Sequence, residues 1–480
     1  MTEAADSAKR PRRMARRFVL GFVLAFGGLA ALWTGTIAIL SWQKGRAVEK
    51  LRQQGEPATF AEAVQQNVAS SATPTANKRL YDAIDAHVEA GRPGDVYGTT
   101  GFNRPVAPIK EPLRSQWKSA VSKSTSVLTL LERAVEDPPG PLMLPNEMAD
   151  LHNSMVFPRA LELRGLGWLT MMDLRLAADE RDWPRAARRL HMLLRIADHF
   201  SREPFFGPQL HRLMTFDLAF DAIGFLAPSA EFSQAEFDGL DKLLASADQD
   251  FKMGPALKNE RLISSQIIEG SGDASYFLQR HLVVFGTGST LPRSAALKAR
   301  EAWAAMIVTP LGLPFRLRRS VESLECPDEV FALIDTPPPW PKSASSTFEQ
   351  WKSAIDPGSV GLWPEQTTFL DRAVSQTTRV HRRIALSRAA LRLRRFQLQF
   401  GRLPNSLAEL NELGMPAIPL TWFENEPLVV EKTPNGCRIS GPNYLLRSPL
   451  LPNDSQKSLA GLLIELRFTV APTSNAASPK

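Results

Sequence analysis

The stretch LRGLGWLTMMDLRLAADERDWPRAARRLHMLLRIA, residues 163–197, decides the fold class. Leu163, Leu166, Leu169, Met172 and Leu176 recur three or four apart, which places them along one face of a helix. The segment Glu180-Arg181-Asp182-Trp183-Pro184 interrupts that stripe, and Ala187, Leu190, Leu194 and Ala197 resume it. Asp182 has the short acceptor side chain of a helix cap, and Pro184 suits a first turn, where a missing amide hydrogen breaks no bond. Two helices joined by a tight turn are therefore predicted.

That hairpin resembles one tetratricopeptide-like unit, above all in the Asp182-Trp183-x-x-Ala186 segment that starts its second helix. Similar spacing continues between Gln116 and Val308, with helices expected over Pro208–Phe225, Ser233–Asp250, Pro255–Glu269 and Arg293–Thr309. No 34-residue period persists, so a regular solenoid is not expected. Residues 116–333 read as an irregular α-helical hairpin array, and the Pro-rich residues 334–364 read as a connector. A long helix is expected from Pro364 to Phe400. Leu386, Ala389, Leu393, Phe396 and Phe400 form its buried stripe, and Arg388, Arg392 and Arg395 lie on another face. That arginine row is either a solvated surface or a contact for phospholipid head groups or an acidic partner.

Nearer the N-terminus, Phe18 to Leu40 is FVLGFVLAFGGLAALWTGTIAIL, 23 residues without a charged side chain. About 20 such residues cross a bilayer core as a helix. A cleavable signal would have a shorter apolar run and a small-residue exit, so an uncleaved anchor is expected rather than an export signal. Residues 1–17 hold six basic and two acidic side chains, more than half of the net charge of +7. This bias favours a cytoplasmic N-terminus with the bulk of the chain outside the cytoplasm. Trp42 marks the far edge of the span. Gly27, Ala31 and Gly35 lie four apart, a spacing that suits a homodimer contact and is also common in membrane helices generally. Residues 41–115, rich in Pro, Gly, Ala, Ser and Thr, read as a partly extended stalk interrupted by a short helix from Asn77 to Ala90.

Composition narrows the function classes. The positive charge outside the N-terminal tail is too dilute for a nucleic-acid face, and two cysteines exclude a disulfide scaffold. Cys326 and Cys437 are candidates for one bridge if the body is extracytoplasmic.

After the long helix come Gly401-Arg402-Leu403-Pro404-Asn405-Ser406-Leu407-Ala408-Glu409-Leu410, then Pro416 to Pro419 and Glu426 to Val430. This resembles the segment of type II secretion pseudopilins in which the long helix ends and a small antiparallel sheet follows. The resemblance implies that residues 365–470 hold the long helix plus a small α+β module, and the local residues agree, with Gly401 suited to a left-handed cap and Thr433-Pro434-Asn435-Gly436 to a hairpin turn. Thr421-Trp422-Phe423-Glu424 stands where that family has a calcium-loop aspartate, so no calcium site is carried over. Together with Gly55-Glu56-Pro57-Ala58-Thr59, the arrangement also resembles a group of uncharacterised bacterial proteins with a single membrane helix, a resemblance that implies the inner membrane of a bacterium. Residues 471–480 read as a tail. The fold class expected is thus mainly α: an N-terminal transmembrane helix, the irregular hairpin array and the small α+β C-terminal module.

The chemistry-bearing residues form no known constellation. His199 beside Asp198, with His191, Glu203 and His211 nearby in sequence, is the densest titratable group. His191 and His199 lie about 12 Å apart on one helix, too far to share a metal. Ser264 and Ser265 lie in a helical pattern, Gly286-Thr287-Gly288-Ser289 lacks the rest of a phosphate loop, and Glu260, Glu322 and Glu325 are isolated carboxylates. No catalytic residue, cofactor or metal ligand is assigned. The expected function is a membrane-anchored, non-enzymatic scaffold or adaptor that binds another envelope protein. The alternatives are a hydrolase-like envelope enzyme, with a groove at His191, Asp198, His199 and His211, and a small-ligand sensor.

Overall fold

The computed structural model describes residues 9–70, 77–95, 97, 109–142, 158–270, 313–324, 331–332, 334–335, 364–413, 421–423, 426–427, 429–433, 436–440 and 466–469. These are mainly helical. In chain order the helices are α1 (Lys9–Gln53), α2 (Phe60–Ser70), α3 (Lys78–Glu89), α4 (Leu113–Lys123), α5 (Thr125–Ala134), α6 (Pro158–Asp179), α7 (Trp183–His199), α8 (Phe206–Leu226), α9 (Gln234–Asp250), α10 (Gly254–Gly270), α11 (Leu313–Leu324) and α12 (Pro364–Phe400). Contacts divide the chain into two units, Met1–Ala63 with Arg261–Cys326, and Val64–Glu260 with Pro327–Lys480.

In the first unit α1 is one continuous helix of 45 residues, about 67 Å at 1.5 Å per residue. Leu20, Phe22, Leu24, Phe26, Leu29 and Leu32 are each more than 60% exposed, and successive rotations of 100° spread them around the whole circumference. The helix is long and apolar enough to cross a membrane. Its last turns differ in character: Ala47 and Leu51 are buried, α11 packs against α1, and Arg261 meets Glu56 at 2.5 Å.

The second unit centres on the α6–α7 hairpin. Asp182 accepts from the Arg185 amide at 3.1 Å and Pro184 sits in the first turn of α7, as the sequence predicts. Arg181 takes a left-handed φ of 59° to make the turn. All nine stripe residues are buried, but so are Met171, Leu174 and Ala177 on the other sides of α6. The reason is that α6 is enclosed by α3, α4, α7 and α8. α8 packs on α7, and α12 lies against α8 and α9. Ser233 caps α9 with a capping box through Glu236, and the Asp335 carboxylate accepts from the Met253 and Gly254 amides where α10 begins.

Among the described residues of 41–115, α3 is the short helix expected over Asn77–Ala90, but where a stalk is expected α1 runs on to Gln53, α2 is helical, and α3 packs into the second unit against α5 and α6. Polar anchors hold it there: Asn77 and Tyr81 both donate to the Pro141 carbonyl at 2.7 Å. Gly94 and Gly165 permit a close approach, since a Cβ at Gly94 would lie 2.0 Å from the Gly165 carbonyl oxygen and one at Gly165 would lie 2.7 Å from His87 Nε2.

α12 spans the residues expected of it and ends at Gly401, whose φ of 65° and amide bond to Gln397 O at 2.8 Å make a left-handed cap. Leu386, Ala389, Leu393 and Phe396 are buried, whereas Phe400 at the helix end is exposed. A 3-10 helix follows over Leu407–Leu413. Beyond it, β1 (Thr421–Phe423) pairs with β2 (Glu426–Pro427), and β3 (Val429–Thr433) pairs antiparallel with β4 (Gly436–Ser440), Val430 opposite Ile439. β5 (Leu466–Thr469) pairs with β4. The expected helix Arg293–Thr309, most of the connector and the 471–480 tail lie outside the described residues.

Candidate functional site

The most ordered electrostatic feature of the helical body is a repeated clamp. Three times among the described residues, two arginines four apart on one helix share one aspartate on a neighbour. Arg185 and Arg189 of α7 grip Asp173 of α6, Arg189 Nε at 2.5 Å from Oδ2. Arg379 and Arg383 of α12 take the two oxygens of Asp217 at 3.1 and 2.5 Å, and Arg383 also reaches Asp221 at 2.5 Å. Arg388 and Arg392 of α12 close on Asp241 of α9. Both present the Nε and Nη2 edge, at 3.1 and 3.3 Å for Arg388 and at 3.0 and 2.8 Å for Arg392. Side chains four apart stand one above the other on a helix, so their forks converge on one carboxylate.

These clamps overturn the reading of Arg388, Arg392 and Arg395 as an open row. Arg392 is 0% exposed and Asp241 1%, and Arg395 is buried with its head on Asp238. Arginines at that spacing read equally well as a solvated face, and only the partner helices show which they are. The signal in the sequence is the Arg-x-x-x-Arg spacing at 185/189, 379/383 and 388/392 combined with aspartates on other apolar helices.

The titratable residues around His199 are each held in contacts of their own. His199 is fully buried in the last turn of α7, and burial, with the Arg195 charge second, pushes its imidazole down to about 4. His211 on α8 is also pushed down to about 4, by burial and then by Arg164, and stacks obliquely on Phe200 at 6.2 Å. Both are neutral at pH 7. His191 is half-buried, 3.6 Å from Glu136, and burial lowers it as well. Asp198 pairs with Arg195 at 3.0 Å, and Glu203 is buried where it accepts from the Leu142 amide at 2.5 Å. Each member thus serves a different packing contact.

The remaining candidates are dispersed. Glu260 accepts from the Phe206 amide at 3.4 Å at the start of α8. Ser264 and Ser265 fall within α10, and Cys437 lies on β4. Cys326, Glu325 and Gly286 to Ser289 lie outside the described residues. Another close acid and base, His381 Nδ1 and Asp248 Oδ1 at 2.7 Å, joins α12 to α9. Among the described residues no three His, Cys, Asp or Glu side chains gather closely enough to hold a metal ion. Gly27 and Gly35 of α1 face open space, where an added Cβ would meet nothing within 4 Å. No protein-family model, no curated protein and no solved structure matches the chain.

Proposed function

We propose that this protein is a single-pass membrane-anchored scaffold or adaptor whose helical body, outside the cytoplasm, binds another protein of a bacterial envelope. The observation that carries the anchor is α1, which keeps large apolar side chains exposed on every side over a stretch of bilayer length. In water such a helix is an aggregation hazard; in lipid its surface needs no protein partner. Trp42, with the Arg46 guanidinium 5.0 Å from its ring centre, fits the headgroup level at the distal edge. The basic residues 9–17 fix the N-terminus on the cytoplasmic side.

The helical body supports the adaptor reading through the use made of its charged groups. Its arginines are drawn into clamps that hold helices in register, and its buried histidines are neutral and packed. A stiff body on a membrane tether suits presentation of a surface. The C-terminal residues 365–470 form, in this reading, a small α+β module of pseudopilin-like build, with β3, β4 and β5 as its sheet, and Gly27, Ala31 and Gly35 are the homodimer contact.

The test is in-cell crosslinking of the full chain at native expression, then solubilisation and identification of what is covalently attached. A reproducible set of envelope or secretion-machinery proteins, lost when the body is deleted and the anchor kept, is the result expected. Recovery of the chain alone, as monomer or homodimer, rejects the adaptor.

A further inference from the structure

Arg212 breaks the pattern of the clamps. It lies on α8 at 1% exposure, and its Nε and Nη2 have no hydrogen-bond partner. Those two atoms form the edge with which Arg388 and Arg392 hold Asp241. In Arg212 the same pair of donors is formed, buried and unused. Two carboxylates act on it through space, Asp198 and Asp250, but their hydrogen bonds go elsewhere: Asp198 to Arg195 at 3.0 Å, and Asp250 from Ser246 at 3.0 Å. The rings of Phe216 and Phe251 stand 5.6 and 5.0 Å from the guanidinium carbon. Burial lowers the group to about 10, so it keeps its charge at neutral pH. A desolvated cation without a hydrogen-bonded anion is strongly unfavourable, and two aromatic faces offset only part of that.

We infer that the Nε and Nη2 edge of Arg212 is a binding site for a small monocarboxylate. The parallel donors match the two oxygens of a carboxylate in side-on geometry. One guanidinium balances one negative charge, and the fields of Asp198 and Asp250 disfavour a dianion such as phosphate. Phe216 and Phe251 give a short alkyl group an apolar wall. Because Arg212 is enclosed, the ligand enters by parting α8 from the segment around Phe251, which makes exchange slow and coupled to the stability of the body. This inference stands apart from the adaptor reading and does not depend on it.

The experiment uses the full chain in detergent micelles. Thermal unfolding is followed while sodium acetate replaces sodium chloride at constant ionic strength, with inorganic phosphate as a parallel series. Acetate is expected to raise the melting temperature along a saturating curve, and phosphate to give no saturating rise. R212M is expected to lose the acetate response and, without a buried charge, to melt higher than the native chain in chloride. Should R212M not fold, R212K keeps the charge but lacks the fork, and its apparent affinity for acetate should fall at least tenfold. No saturating response to acetate in the native chain, an equal response in the Arg212 variants, or a saturating response to phosphate overturns the assignment.

Discussion

His199 illustrates how one buried side chain ties this fold to pH. Its imidazole lies near 4 in the folded chain, against about 6.5 when exposed. Above 6.5 both states are neutral and the group adds no pH dependence. As the pH falls below 6.5 the unfolded chain takes up the proton first, so stability declines until about pH 4 and then levels, by about 3 kcal/mol in all. His199→Leu should flatten that part of the profile, read as unfolding free energy against pH. An unchanged slope between pH 6.5 and 4 would contradict the packing described. His211 adds a slope of the same sign.

Asp241 gives a second residue-scale expectation. Asp241→Asn leaves two arginines in a dry interface without their counter-charge and should cost about 3–5 kcal/mol in denaturant unfolding. Glu409→Gln breaks the solvent-screened pair with Arg402, 2.8 Å, and should cost far less, because an exposed ion pair contributes little. Equal losses at the two sites would show that the clamp is not the structural joint it appears from its burial. In the sequence Asp241 and Arg392 were illegible as partners, because nothing local distinguishes an arginine bound to an aspartate 151 positions away from one in water. The acid and base residues near His199 were visible as a cluster in sequence, but adjacency along α7 and α8 does not bring side chains to one point.

At the scale of elements, propensity and capping were more informative. Asp182, Pro184 and Gly401 mark real helix ends because caps and left-handed turns are decided by a few neighbouring residues. The bounds of α9 and α12 follow from Ser233 and Pro364 in the same way. What the pattern missed was the reach of α1 beyond Leu40 and the docking of α3. The helix itself was legible over Asn77–Ala90, but the Pro and Ser content around it suggested a free stalk, whereas Leu80, Ala83, Ile84 and His87 are buried against the body. The crossing of α3 with α6 depends on two glycines and one imidazole. Gly165→Ala places a methyl group 2.7 Å from His87 Nε2 and should destabilise by about 1–3 kcal/mol. Adding His87→Ala should recover much of that loss, so the two substitutions are expected to be non-additive. Strict additivity would place the cost elsewhere.

On the scale of the whole molecule, the chain joins a helix suited to lipid to a body suited to water, and its composition averages the two. A single overall hydropathy conceals this, but the uncharged run from Phe18 to Leu40 stands out at once because a bilayer imposes one length. The packing between distant helices was beyond reach for the opposite reason: it depends on pairs such as Asp217 with Arg383, 166 positions apart, which no local window contains. The proposed membrane attachment depends on α1 alone. The most direct test is alkaline carbonate extraction of membranes from cells expressing the full chain, set beside a Leu24→Arg/Leu29→Arg variant. The native chain is predicted to stay in the membrane pellet and the variant to lose membrane insertion; release of the native chain into the carbonate supernatant would show that α1 does not span the bilayer.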